Sequence, residues 1–234
     1  MRCYTLFFLC ITTAYAFTTR TSPPYNSISK NELLGKFDPA SHSDFEKIST
    51  EFCRGGVMYM HKEAFKAFKT MYFDAKKCGI HLTILSATRN FDRQKSIWEK
   101  KWNLAENKSL SPTERAKTIL KYSSMPGSSR HHWGTDIDLN ALNNEYFATA
   151  EGKAVYTWLL QHAEKYGFAQ PYTAKSKGRT GYEEEKWHWS YRPLSDPYLQ
   201  AYNNSIKNED LTGFSGSEQA VVLDVVGNFV NGIY

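Results

Sequence analysis

The chain has 234 residues, 41% hydrophobic and 15% aromatic, a composition that excludes a disordered or fibrous protein and suits one well-cored domain. Its formal net charge is +5. That excess is too mild to argue for an anionic polymer as partner, and the lack of any run of five basic residues excludes a nucleic-acid-binding tail.

The first residues, MRCYTLFFLCITTAYAF, carry an early Arg2, an apolar run from Tyr4 and an A-x-A cleavage pattern at Ala14-Tyr15-Ala16. This predicts a secretory signal over residues 1–16, with a buried N-terminal strand as the plainer alternative. No later segment approaches a membrane span, so the mature protein is expected to be exported with no stable membrane insertion. Cleavage would remove Cys3 and Cys10 and leave Cys53 and Cys78. An exported pair permits a disulfide, and two buried free thiols fit the sequence equally well. Residues 17–40 begin Ser/Thr/Pro-rich and read as an N-terminal tail, and FDPASHSDFEKI could start a short helix near Ser43.

A main domain is expected over residues 41–202. From Lys62 to Lys77 the residues Ala64, Phe65, Phe68, Met71, Tyr72 and Ala75 recur at helical spacing, and Gly79 follows as a stop. HLTILSA, 81–87, reads as a strand. Asp92 can cap a helix carrying Gln94, Trp98 and Trp102, and Ser111-Pro112-Thr113-Glu114 opens another as a capping box. MPGSS breaks that helix, and GTDIDL, 134–139, reads as a strand. Ala154, Val155, Trp158, Leu159 and Tyr166 mark a further amphipathic helix ended by Gly167. KSKGRTG is a loop and YEEEKWHWSY a final core strand. Residues 203–234 are polar, then apolar at AVVLDVV, and read as an extension packing on the domain. Helices and strands alternate without a regular βαβ rhythm, which predicts an α+β fold with a small central antiparallel sheet flanked by helices.

Two clusters carry chemistry. The first holds His131, His132, Asp136 and Asp138, the second Glu183, Glu184, Glu185 and His188. A catalytic zinc takes three protein ligands and keeps one position open, with a further carboxylate nearby as base. Asp136 and Asp138 are two apart on a strand and share a face, so spacing does not choose between them. Taken singly, each residue also has a bland reading: a core histidine beside tryptophan, or a solvated acidic edge.

Three stretches in order resemble the VanY-type D-alanyl-D-alanine carboxypeptidases. SRHHWGTDID is similar to their S-x-H-x-x-G-x-x-x-D, EKWH to their E-x-W-H, and SATRNFDRQ to their S-x-x-R-x-x-x-x-Q, over roughly residues 55–195. The family belongs to a wider zinc-bearing group with the lysostaphin-like endopeptidases and the hedgehog signalling domain. The resemblance implies a hedgehog/D-Ala-D-Ala-peptidase-like core binding Zn2+ through His131, Asp138 and His188, with Glu185 as base and Arg89 steadying the substrate carbonyl and oxyanion. It implies Ser129 and Gln94 as substrate-binding residues, and a monomeric exported carboxypeptidase hydrolysing the terminal D-Ala-D-Ala bond of peptidoglycan stem peptides. An L,D-carboxypeptidase or wall endopeptidase with the same site, and a non-catalytic zinc-containing binding module, are the alternatives. For Arg89 the plainer reading is a surface arginine, and for Gln94 a first-turn helix residue.

The chain departs from the family at Asp136, where a small residue is usual. Asp136 is therefore expected to accept from a ligating histidine or to meet a basic neighbour, and the spare His132 to lie behind the ligands or at the surface. Glu185 and His188, three apart, would face opposite sides of a regular strand. The strand must therefore begin after Glu185 or bulge there.

Overall fold

The computed structural model describes residues 28–234, so the signal and the first part of the tail lie outside the described residues. In chain order the elements are α1 (Lys30–Leu33), β1 (Phe45–Lys47), β2 (Tyr59–His61), α2 (Lys62–Lys77), β3 (Ile84–Ser86), α3 (Phe91–Trp102), α4 (Ala105–Lys108), α5 (Pro112–Ile119), β4 (Asp136–Leu139), α6 (Ala150–His162), β5 (Phe168–Ala169), β6 (His188–Tyr191), α7 (Arg192–Ser205) and α8 (Gln219–Val222). The α+β expectation holds. A four-stranded sheet runs β3-β4-β6-β5, antiparallel at every pair, and β1 and β2 form a separate two-stranded ribbon. Among the described residues no helix is long and apolar enough to cross a membrane.

Both faces of the central strands are covered, and the period of two sorts their side chains. Ile137 and Leu139 of β4 and Trp189 and Tyr191 of β6 enter one core, against Phe65, Phe68 and Met71 of α2 and Val155 and Leu159 of α6. Asp136, Asp138, His188 and Ser190 alternate with them and take the opposite face, toward a second core built on Leu33, Trp98, Trp133 and Tyr202. The register sets Asp138 across from His188 and Asp136 across from Ser190. A polar layer thus lies in the seam between two apolar cores.

Several local expectations change on folding. The segment near Ser43 is the strand β1, because Phe45 is buried and pairs with His61 across the ribbon. The described part of the tail is folded: Ser29 caps α1, Leu33 and Leu34 are buried, and the Leu33 carbonyl accepts from Trp133 Nε1 at 3.2 Å. The cap of α3 is Asn90, whose Oδ1 accepts from Arg93 N–H at 2.9 Å, in place of Asp92. The final strand is short, starting only at His188. Cys53 is half-buried and Cys78 is exposed, and among the described residues neither is in a disulfide.

The C-terminal residues lie against the second core, with Leu211, Phe214, Val225 and Val230 buried in it. They also brace the loop before β6. Arg179 Nη1 donates to the Gly232 carbonyl at 3.1 Å, Tyr234 N–H donates to the Pro171 carbonyl at 3.0 Å, and the Phe229 ring meets Tyr182 at 5.2 Å.

Candidate active site

A 3₁₀ turn, Arg130–Trp133, leads into β4 and presents His131. It ends at Gly134, whose φ is +69° and where a Cβ would fall 2.2 Å from the Phe45 ring. Only glycine meets both demands. Gly134→Ala is expected to cost about 1–3 kcal/mol, read as a lower urea midpoint at unchanged m-value.

His131 Nδ1 lies 2.8 Å from the Ala87 carbonyl, which fixes the proton on Nδ1 and leaves Nε2 as the free lone pair. His188 is set the other way round: its Nε2 lies 2.8 Å from Asp136 Oδ2, so Nδ1 faces the site. Asp138 Oδ1 stands 3.3 Å from His131 Nε2 and 3.2 Å from His188 Nδ1. Two zinc bonds at a tetrahedral angle place their donor atoms about 3.3 Å apart. One ligand atom from each of His131, Asp138 and His188 falls within 4.8 Å of the others, and all three residues are buried. Among the described residues, His131 Nε2 and Asp138 Oδ1 are buried with no hydrogen-bond partner. Two orphaned donors facing a common point, in a mixed N,N,O set, fit a zinc ion. Burial alone would raise the Asp138 carboxyl, but the imidazoles of His131 and His188 hold it well below the usual carboxylate range.

Glu185 lies before β6, as the geometry of the motif requires, and its Oε2 reaches to 3.3 Å from His188 Nδ1. Burial pushes its carboxyl up, against the opposing pull of His188. Arg89 Nη1 donates to Ser86 Oγ at 3.2 Å and stands 3.8 Å from Asp138 Oδ2. Its Nε is buried and has no hydrogen-bond partner among the described residues. The Arg89 backbone is clamped: its N–H donates to the His131 carbonyl at 3.1 Å, and its carbonyl lies 2.6 Å from His132 Nδ1. His132 Nε2 in turn accepts from Gly127 N–H at 3.0 Å. His132 is fully buried, not a surface residue, and burial lowers its pKa to about 3, so it stays neutral.

Asp136 combines both expected roles. Beyond His188, its Oδ2 accepts from Arg130 Nε at 3.0 Å, and its Oδ1 accepts from Thr135 Oγ1 at 2.7 Å and Ser190 Oγ at 2.8 Å. The Arg130 charge and the His188 contact hold its carboxyl low although burial opposes them.

A pocket of about 310 Å³ opens over these groups, lined by Arg89, His131, Asp138, Glu185 and His188 together with Lys101, Ser123, Ser124 and the rings of Tyr122, Tyr172, Tyr182 and Trp187. Gln94 and Ser129 do not line it. Both are buried behind the wall; Gln94 Nε2 donates to the Ser124 carbonyl at 2.8 Å, while Ser129 Oγ has no partner among the described residues. The alternation of Trp187, Trp189 and Tyr191 suits core packing or a pocket wall, and Trp187 does line the pocket; Lys101, Ser123, Tyr122, Tyr172 and Tyr182 went unnoticed in the sequence. A signal for Lys101 exists: Ile97 and Lys101 stand four apart on α3 and so share one side of it, and both line the pocket.

The chain is 37% identical over 139 residues to the putative carboxypeptidase YodJ of Bacillus subtilis (strain 168), covering 57% of this chain and 46% of the relative. It is 26% identical over 171 residues to a D-alanyl-D-alanine carboxypeptidase of Enterococcus faecium, covering 73% of this chain and 49% of the relative. The chain thus spans about half the length of the curated relatives it matches. Among solved structures, that of the LdcB LD-carboxypeptidase superposes with a TM-score of 0.55 at 28% identity, over 73% of this chain and 76% of that one. The family model described as VanY, D-alanyl-D-alanine carboxypeptidase, matches residues 57–194, more than half of the chain, and the chain belongs to that family.

Proposed function

We propose that the chain is an exported zinc-dependent carboxypeptidase that hydrolyses the terminal D-Ala-D-Ala bond of peptidoglycan stem peptides. One observation carries the chemistry: the donor atoms of His131, Asp138 and His188 converge, with Glu185 Oε2 3.3 Å from His188 Nδ1 and the Arg89 guanidinium in the same pocket. Zn2+, when bound, supplies Lewis acidity to the scissile carbonyl and to the attacking water. Glu185 takes a proton from that water as it attacks and returns a proton to the departing amine. Arg89 donates to the carbonyl oxygen as negative charge gathers there, and its clamped backbone fixes the donor in advance. Tyr172, Tyr182 and Trp187 wall the site from bulk water. Export rests on the predicted signal at residues 1–16. The reading takes a stem peptide as partner, with no nucleic acid and no second copy of the chain.

A second reading, an L,D-carboxypeptidase using the same residues, is favoured by the likeness to LdcB at 28% identity. A non-catalytic zinc module has no use for a base and a guanidinium facing one pocket. Incubating the protein with defined pentapeptide and tetrapeptide stem fragments, and identifying what is released by mass, decides between them. Release of D-Ala from the pentapeptide alone supports the first reading, release from the tetrapeptide alone the second, and release from neither ends both. Dialysis against a chelator is expected to abolish the release and to lower the melting temperature. Zn2+ should restore both and Mg2+ neither, because two imidazoles and one carboxylate suit zinc better than a hard, octahedral ion.

A further inference from the structure

Of the three converging ligands and the base beside them, only Glu185 lies outside a regular element. His131 sits on a 3₁₀ turn, Asp138 on β4 and His188 on β6, while Glu185 belongs to the loop before β6. Strand pairing would have held it. β5 and β6 pair Phe168 with Tyr191 and Ala169 with Ser190. Continued in register, the ladder would set Pro171 against His188, but proline has no N–H to give. The strands part there. The His188 N–H turns back to the Glu185 carbonyl at 3.3 Å, and the Pro171 carbonyl accepts from Tyr234 instead.

A side chain takes over from the ladder. Gln170, the residue after β5, is buried. Its Nε2 donates to the Tyr172 carbonyl at 3.0 Å and to the Glu185 carbonyl at 3.1 Å. The Glu185 N–H donates to the same Tyr172 carbonyl at 3.0 Å. The peptide groups on both sides of the Glu185 Cα are thereby tied to Gln170 and Tyr172. On α6, the Tyr156 hydroxyl donates to Gln170 Oε1 at 2.8 Å. Two carbonyls require the nitrogen and the hydroxyl takes the oxygen, so the amide has one orientation. Tyr156 and Gln170 line a separate cavity of about 330 Å³, whose other walls include Leu159, Phe168 and Trp189, and neither lines the reacting pocket. A buried amide in such apolar company is costly unless its hydrogen bonds are made. Here they are made to the main chain that carries the base, and proton transfer needs that carboxylate within hydrogen-bond reach of the attacking water.

We propose that Gln170, oriented by Tyr156, is a positioning residue for the general base: it pins the main chain of Glu185 so that the carboxylate meets the attacking water. The role rests on the peptidase reading above.

The test compares Gln170→Met and Tyr156→Phe with the native zinc-loaded protein. Gln170→Met keeps the side-chain length and loses the three hydrogen bonds. On the stem fragment that the native protein hydrolyses, its kcat is expected to fall about 10- to 100-fold, the scale for a reacting group displaced by about 1 Å. KM and bound zinc should stay as they are. Tyr156→Phe removes one hydroxyl and should lower kcat about 2- to 10-fold. Added to Gln170→Met it should cost nothing more, because it acts only through that side chain. Hydrogen exchange followed by mass spectrometry gives a readout without turnover. Exchange over residues 183–188 should quicken in Gln170→Met, while exchange over α3 and β4 stays native. Should Gln170→Met fail to fold, Tyr156→Phe carries both readouts with smaller changes. Unchanged kcat, a rise in KM or loss of zinc in place of a fall in kcat, additive losses, or unchanged exchange over 183–188 would overturn the role. If exchange there quickens but the native protein hydrolyses no fragment, the pin on Glu185 stands and the peptidase reading falls.

Discussion

Glu185→Gln is expected to lower kcat by about two to four orders of magnitude while zinc stays bound. The side chain keeps its shape, but its amide cannot take a proton from water. Glu185 Oε2 lies 3.3 Å from His188 Nδ1, within the pocket yet outside the three converging ligands, so the metal should survive its loss. His188→Ala removes a ligand and should lose the metal with the activity. The two variants separate on metal content after gel filtration, with single-turnover rates as the second readout. Full activity in Glu185→Gln would place the base elsewhere, with Glu183 and Glu184 next in sequence.

Asp136→Ala is expected to be the most damaging change outside the pocket. The carboxylate is fully buried and serves four partners: Arg130, Thr135, Ser190 and His188. Removing it strands the buried Arg130 guanidinium, and breaking a buried pair from one side costs about 3–5 kcal/mol. It also frees His188 Nε2, the nitrogen whose proton directs Nδ1 toward the site, and loss of such a support lowers metal affinity about 10- to 100-fold. Urea unfolding of the metal-free protein reads the first effect, and chelator competition with zinc reads the second. Arg130→Met paired with Asp136→Ala should cost less than the sum of the two single changes, because neither charge is then left alone. Additive losses would show that the pair is not coupled.

The α+β class and the course of α2 were legible because they follow from periodicity, which local sequence carries in full. The convergence of His131, Asp138 and His188 was legible only through motif order. Spacing left Asp136 and Asp138 equivalent, and they do share a face of β4; what divides them is position along the seam. Asp138 sits opposite His188 and Asp136 opposite Ser190, a cross-strand register that no local pattern encodes. Strand β1 was missed for a related reason. Phe45 is a strand residue because His61 is there to pair with it. Gln94 and Ser129 matched a motif, yet their side chains turn behind the wall, since a motif fixes identity and not orientation. Lys101 was passed over as one of many lysines, and only the folded helix gives it a pocket.

The braces around the pocket have a practical consequence. The stretch matched by the family model ends at residue 194, yet Gly35 abuts the ring of His132, and Tyr234 N–H holds Pro171, whose neighbour Tyr172 accepts from the amide of Glu185 at 3.0 Å. A fragment cut to the motif-bearing stretch would lose Leu33 and Tyr202 from the second core, uncover Trp98 and Trp133, and let the wall beside Glu185 drift. Expression work aimed at the smallest folded form should therefore keep both flanks and shorten exposed turns instead.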